Sequence, residues 1–155
     1  MSYRWMVLVL LASAPSHAIA KDARPSLEQR VQRMEDESAI RRILIEYGAD
    51  LDAKDYHAYA GLFASQGVWQ GGFGTFTGPA AIEEMLVKNL GAPGPGYVNK
   101  ANFHLLTNPI IAIHGDRAHV TSKYLFWTAT DGKPTPLLAG RYVDDFVREN
   151  GQWKI

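Results

Sequence analysis

The chain has no cysteine among its 155 residues. That excludes a disulfide framework, thiolate metal sites and cysteine nucleophiles. It has no excess of either charge: 16 Lys and Arg balance 16 Asp and Glu. Such a balance offers no basic footprint for nucleic acid. No apolar run reaches the roughly 20 residues that a membrane-spanning helix needs. No internal repeat or low-complexity tract appears, and no βαβ alternation points to a doubly wound sheet. The glycines around Gly71-Gly72-Phe73-Gly74 lack the Lys-Ser/Thr of a phosphate-binding loop, and no basic residue stands beside them. They read as a hairpin turn.

What is present begins with an address. Met1 to Arg4 form a short positive region, Trp5 to Ala14 an apolar run, and Ala18-Ile19-Ala20 a small-x-small site before Lys21. This is the three-part layout of a secretory signal peptide at residues 1–20, with export to a periplasm or the outside expected. The rival reading, a permanent anchor, requires a longer run. Removal of Arg4 would leave 15 basic against 16 acidic residues, a formal net charge of 15 − 16 = −1. Residues 21–34 are then a linker and helix start, and residues 35–155 one domain.

Ser26 and Gln29 stand at capping-box spacing. From there Leu27, Val31, Met34, Ile40, Ile43, Leu44, Tyr47 and Leu51 recur at helical spacing. One long amphipathic helix is expected, with a break near Asp36–Ser38. A second helix covers Tyr56 to Phe63, and a third, opened by Pro79, covers Ala80 to Leu90. Gly91 to Gly96 form a loop, either a lid or a plain connector. Short strands at Val68–Gln70 and Thr75–Thr77 precede a β-rich second half: Phe103–Thr107, Ile110–Ile113, Ala118–Thr130, Leu137–Arg148 and the start of a last strand at Gln152. That last strand stops as it begins, so either the domain ends early or the sequence is a truncated product. Helices followed by antiparallel strands make an α+β fold.

The stretch Asn102 to Pro109 carries the chemistry. On a strand, His104 shares one face with Asn102, Leu106 and Asn108, while Phe103, Leu105 and Thr107 take the other. Pro109 breaks the ladder and marks a bend or an edge. An imidazole pointing into a hollow is a natural proton-transfer group, because its ordinary pKa lies near neutrality. Its partner is less evident. Asp50 and Asp52 flank the apolar stripe at the end of the first helix, and either could turn inward. A carboxylate near a helix C-terminus is disfavoured by the helix dipole, so an acid kept there suggests a use. The bland alternatives are a solvated helix end and a histidine satisfied in the core.

The ordered set Ile40-Arg41-Arg42-Ile43-Leu44-Ile45-Glu46-Tyr47, Leu51-Asp52-Ala53-Lys54-Asp55-Tyr56, Gly74 to Pro79, His104 to Asn108, Gly140-Arg141-Tyr142 and Asn150 to Ile155 resembles SnoaL-like proteins of the nuclear-transport-factor-2-like superfamily. The resemblance implies a cone: a strongly curved, mixed or antiparallel sheet wrapped around the N-terminal helices, with an open apolar pocket. Its catalytic members, scytalone dehydratase and hexachlorocyclohexane dehydrochlorinase, use an Asp–His pair, which matches Asp52 and His104. An Arg of the dehydrochlorinase is similar to Arg141. A second pocket His of the dehydratase falls near Tyr124, a departure that puts the dehydratase's own chemistry in doubt here.

The resemblance thus implies a cofactor-independent lyase or isomerase, with His104 as base and Asp52 as its orienting acid. Tyr47, Tyr124 and Arg141 would contact a small, largely apolar molecule. Arg141 has a plainer alternative in a surface pair with Asp144 or Asp145, and both tyrosines in packing. The family also holds non-catalytic binding proteins and modules that assemble through the sheet, so a homo-oligomer is expected as well. No metal site is expected: His57 lies on a polar helix face, and His114 and His119 flank one turn without a third ligand at a recognised spacing.

Overall fold

The computed structural model describes residues 24–129 and 132–155. The signal-peptide reading and Asp131 of the second turn lie outside them. Among the described residues no helix is long and apolar enough to cross a membrane.

Helix α1 (Leu27–Ala53) starts at a full capping box: Ser26 Oγ accepts from Gln29 N–H at 3.1 Å, and Gln29 Oε1 accepts from Ser26 N–H at 2.8 Å. It runs unbroken through Asp36–Ser38, where a break was expected. The reason is Asp36, buried on the helix and bonded to Gln32 one turn back and to Arg148 and Trp153 across the domain. The apolar spacing also misleads at the N-terminal end. Leu27, Val31 and Met34 are exposed; the core stripe begins only at Ile40 and continues through Ile43, Leu44 and Tyr47.

Helix α2 (Tyr56–Gly61) is capped by Asp55 Oδ1, which accepts from Ala58 N–H at 3.0 Å. Leu62 and Phe63, expected as helix, form a tighter turn, donating to the carbonyls of Tyr59 and Ala60. Strands β1 (Val68–Gly71) and β2 (Gly74–Thr77) make a separate hairpin. Helix α3 (Pro79–Leu90) packs on α2 and buries Ile82, Met85 and Leu86.

The main sheet is antiparallel, in the order β3 (Asn102–His114), β4 (Arg117–Thr128), β5 (Thr135–Glu149), β6 (Gln152–Lys154). Pro109 does not end β3. It sits on the outermost strand, at a bulge between Thr107 and Ile110, with Asn108 at φ 51°. A second irregularity lies between Phe126 and Trp127. Such extra residues bend strands, and they help the sheet curl into a half-barrel with α1 against its inner face. β6 pairs only with Val147, Arg148 and Glu149. The core joins Ile40 and Leu44 of α1 to Tyr59, Ile82, Val120, Phe146 and Trp153.

Candidate active site

Helix α1 comes close to β3 at Gly48. A Cβ there would fall 3.2 Å from Leu106 Cδ1 and 3.3 Å from the His104 carbonyl oxygen. Glycine inside a helix costs about 1 kcal/mol relative to alanine, and this close approach is what the cost secures. Asp52 lies one helical turn further on, so the crossing at Gly48 delivers its carboxylate to His104.

The carboxylate holds the histidine twice. Asp52 Oδ2 accepts from the His104 backbone N–H at 2.9 Å, and Asp52 Oδ1 lies 2.7 Å from His104 Nδ1. The two contacts fix ring position and tautomer together: Nδ1 carries the hydrogen toward the acid, and Nε2 is left as the acceptor. Nε2 makes no hydrogen bond among the described residues. Both side chains are largely but not fully covered, at 21% and 17% exposure for His104 and Asp52. The Phe126 ring packs on the imidazole at 4.5 Å between centroids. These bonds also answer the misplacement of an acid at a helix C-terminus, since two donors from β3 offset the unfavourable dipole.

The pair opens onto a cavity of about 880 Å³. Tyr47, Tyr124, Tyr142 and Arg141 all contribute to its wall, together with Trp69 of the β1–β2 hairpin. Gly71 of the hairpin seats that indole: a Cβ there would come within 2.5 Å of the Trp69 ring. Tyr124 stacks on Tyr142 with centroids 4.5 Å apart. Its ring lies directly over Gly140, where a Cβ would meet Tyr124 Cε1 at 2.6 Å. Tyr47 is buried between Tyr59 and Tyr142, with ring centroids 4.6 Å and 5.4 Å away, and burial holds its hydroxyl above the usual tyrosine range. Arg141 is exposed, opposite Lys123 in the β4–β5 register, and alternates along β5 with the inward Gly140 and Tyr142. The surface pair weighed for it is not formed with Asp145, which instead accepts from His119 at 2.8 Å.

Asp50, the other candidate acid, makes no hydrogen bond to His104 and is not among the residues that line the cavity. Burial, then the charges of Asp55 and Glu46, raise its pKa. The loop from Gly91 is tied to the end of α1: Lys54 Nζ donates to the Leu90 carbonyl at 2.8 Å and lies 5.4 Å from the Tyr97 ring centroid. Tyr56 donates to the Gly91 carbonyl at 3.2 Å. The loop therefore borders the cavity mouth under restraint.

The sequence reading missed Asp144. It lines the same cavity, and its carboxyl is pushed up to about 6, first by burial, then by the neighbouring Asp145 charge, against a small opposing pull from His119. The available signal was its register on β5 between inward Tyr142 and Phe146; it was read instead as an exposed partner for Arg141.

Comparison with known proteins gives the same picture of the fold. The provisionally named scytalone dehydratase of Novosphingobium aromaticivorans is 26% identical, covering 81% of this chain and 82% of its own, with a TM-score of 0.63. A nuclear-transport-factor-2-like protein with a cystatin-like fold from the same organism is 23% identical over 85% of this chain and 86% of its own, TM-score 0.70. A type 2 hexachlorocyclohexane dehydrochlorinase (LinA) is 19% identical over 81% and 83%, TM-score 0.64. No curated protein matches the chain by sequence. The SnoaL-like domain model matches residues 32–155, which takes in α1 from its second turn, the whole sheet, and both Asp52 and His104: the chain belongs to the SnoaL-like domain family.

Proposed function

We propose that this protein is a cofactor-independent lyase or isomerase that removes a proton from carbon in a small molecule held in the cavity. The observation that carries the reading is the double grip of Asp52 on His104 in the cavity wall, which leaves Nε2 as the acceptor. A desolvated histidine alone loses basicity. An acid on Nδ1 stabilises the imidazolium that forms and keeps Nε2 ready.

In an elimination, Nε2 takes the proton, the C–H electron pair becomes the new double bond, and the leaving group departs with its own pair from the adjacent carbon. A halide leaves as the anion. A hydroxyl leaves as water if the imidazolium or the Tyr124 hydroxyl returns a proton. In an isomerisation the imidazolium gives its proton back to a different carbon. Tyr47 and Tyr124 would supply hydrogen bonds to a carbonyl or leaving oxygen, and Arg141 would act on charge at the cavity edge. The names of the dehydratase and dehydrochlorinase neighbours agree with this class of reaction.

Assembly accompanies this reading rather than replacing it. Leu105, Ile110 and Val143 are exposed apolar residues of β3 and β5, and a homo-oligomer formed through the sheet would cover them. We also propose export, on the layout of residues 1–20 alone.

The test is a turnover screen of small molecules that carry an acidic C–H next to a leaving group. Wild type, His104→Ala and Asp52→Asn are assayed side by side. General base catalysis is worth about 10²–10⁴-fold, and losses of that size in both variants are expected. Turnover untouched by both substitutions would remove the proposal.

A further inference from the structure

Asp144 is a charged group without a mate. Its neighbour Asp145 faces outward, 87% exposed, and is engaged by His119. Asp144 faces inward between Tyr142 and Phe146 and makes no hydrogen bond or ion pair among the described residues. Asp144 is half-buried, and carboxylates drawn out of water are almost always supplied with donors. The cavity wall therefore holds a carboxylate that no donor among the described residues satisfies.

This position is not the dyad's. His104 lies at the level of Phe126 and Leu138 across the sheet, whereas Asp144 lies opposite Val120, six residues further along β5. That is roughly 20 Å of strand at about 3.3 Å per residue. The wall between is aromatic, formed by Tyr124 and Tyr142.

We propose that Asp144 is a ligand anchor: it accepts a hydrogen bond from a hydroxyl or protonated amine at the end of the molecule remote from His104. The ligand then has an apolar body and one donating head, and is not apolar throughout. Water can serve the carboxylate in the empty cavity, and the head group replaces it. The raised pKa agrees, since burial without a donor is its main cause. The inference rests on the cavity being the ligand site, and not on His104 being a base.

Equilibrium binding of three matched probes tests it: 2-methylnaphthalene, 2-naphthalenemethanol and protonated 2-naphthylmethylamine. Each is measured on wild type, Asp144→Asn, Asp144→Val and His104→Ala. On wild type, at least one polar probe should bind about tenfold more tightly than the methyl compound, the scale of one hydrogen bond to a charged group. Asp144→Val should bring all three to within about twofold. Asp144→Asn separates the two heads: a hydroxyl preference survives on the amide oxygen, and an ammonium preference is lost with the charge. His104→Ala should keep the wild-type preference even if the turnover screen fails, so the two readings fall separately. Equal binding of all three probes to wild type, or a preference that survives Asp144→Val, would overturn the anchor.

Discussion

Asp36 and Asp52 both sit on α1, and both are drawn out of water by partners from the sheet. They differ in what those partners leave over. Asp36 Oδ1 accepts from Arg148 Nη2 at 2.7 Å, Trp153 Nε1 at 3.0 Å and Gln32 Nε2 at 3.2 Å. Arg148 is itself tied to Asp116 at 2.9 Å and lies over the Trp153 ring. Arg148 and Trp153 join α1 to β5 and β6, and Gln32 braces the carboxylate from within the helix. Asp52 makes two bonds, but one goes to a ring that lines the cavity and whose second nitrogen has no partner among the described residues. The first acid closes a network; the second passes its influence on. Burial of a carboxylate therefore says little about function until the far side of its partner is known.

The sharpest way to break this comparison is substitution at each acid. Asp52→Asn should cost about 10²–10⁴ in turnover, with thermal unfolding little changed. Asp36→Ala should do the reverse. It leaves the Trp153 N–H without an acceptor and Arg148 with Asp116 as its remaining carboxylate, and losing hydrogen bonds to a buried charged group costs about 1–3 kcal/mol. Urea unfolding would measure that loss, while turnover per folded molecule stays near wild type. Equal loss of stability in both variants would erase the distinction.

Acidity separates Asp36 from Asp144. Burial alone would raise the pKa of Asp36, but the hydrogen bonds from Arg148, Trp153 and Gln32 and the Arg148 charge outweigh it and lower it below 3.8. Its stabilisation is present above pH 3.8 and is lost as pH falls through the depressed folded value. Asp144 has the opposite sign. Its folded pKa of about 6 stands above 3.8, so the unfolded chain gives up the proton first and stability declines as pH rises between those values. At about 1.36 kcal/mol per unit, the decline is at most about 3 kcal/mol. Denaturation between pH 4 and 7 should show that decline in wild type and not in Asp144→Asn. A wild-type curve that rises over this range, matched by the variant, would contradict the assignment.

Gly48 tests how the dyad is held. Valine there meets β3 and should cost about 1–3 kcal/mol by overpacking, with turnover falling as His104 shifts. Alanine meets the same atoms less severely and regains about 1 kcal/mol of helix propensity, so its stability should stay near wild type. At Gly140, alanine should displace the Tyr124 ring and cost a similar 1–3 kcal/mol. Near-ultraviolet circular dichroism would report the loss of the stacked Tyr124–Tyr142 pair.

Much of this was legible beforehand, and for physical reasons. Helix and strand periodicities are local, so α1, α3 and the long strands stand where the pattern puts them. Pro109 was read as a bend or an edge, and it occupies a bulge on an edge strand. The Asp52–His104 contact was firmly readable only through family resemblance, because spacing placed both Asp50 and Asp52 beside the apolar stripe and the helix dipole gave Asp52 only mild support. The failures share a cause, which is dependence on the far side of the fold. Asp36 looked like a helix break because its partners, Arg148 and Trp153, are more than a hundred residues away. Leu27, Val31 and Met34 kept helical spacing with no sheet beneath them. Asp144 was hidden by adjacency to Asp145, although strand alternation sends the two to opposite faces.

The most direct measurement is the ¹⁵N spectrum of the His104 ring across pH, in wild type and Asp52→Asn. The account predicts that neutral His104 carries its hydrogen on Nδ1, toward Asp52, leaving Nε2 with the shift of an unprotonated acceptor. Loss of the carboxylate in Asp52→Asn should weaken that preference. A neutral ring protonated on Nε2 in the wild type would leave no acceptor facing the cavity and would contradict the central claim.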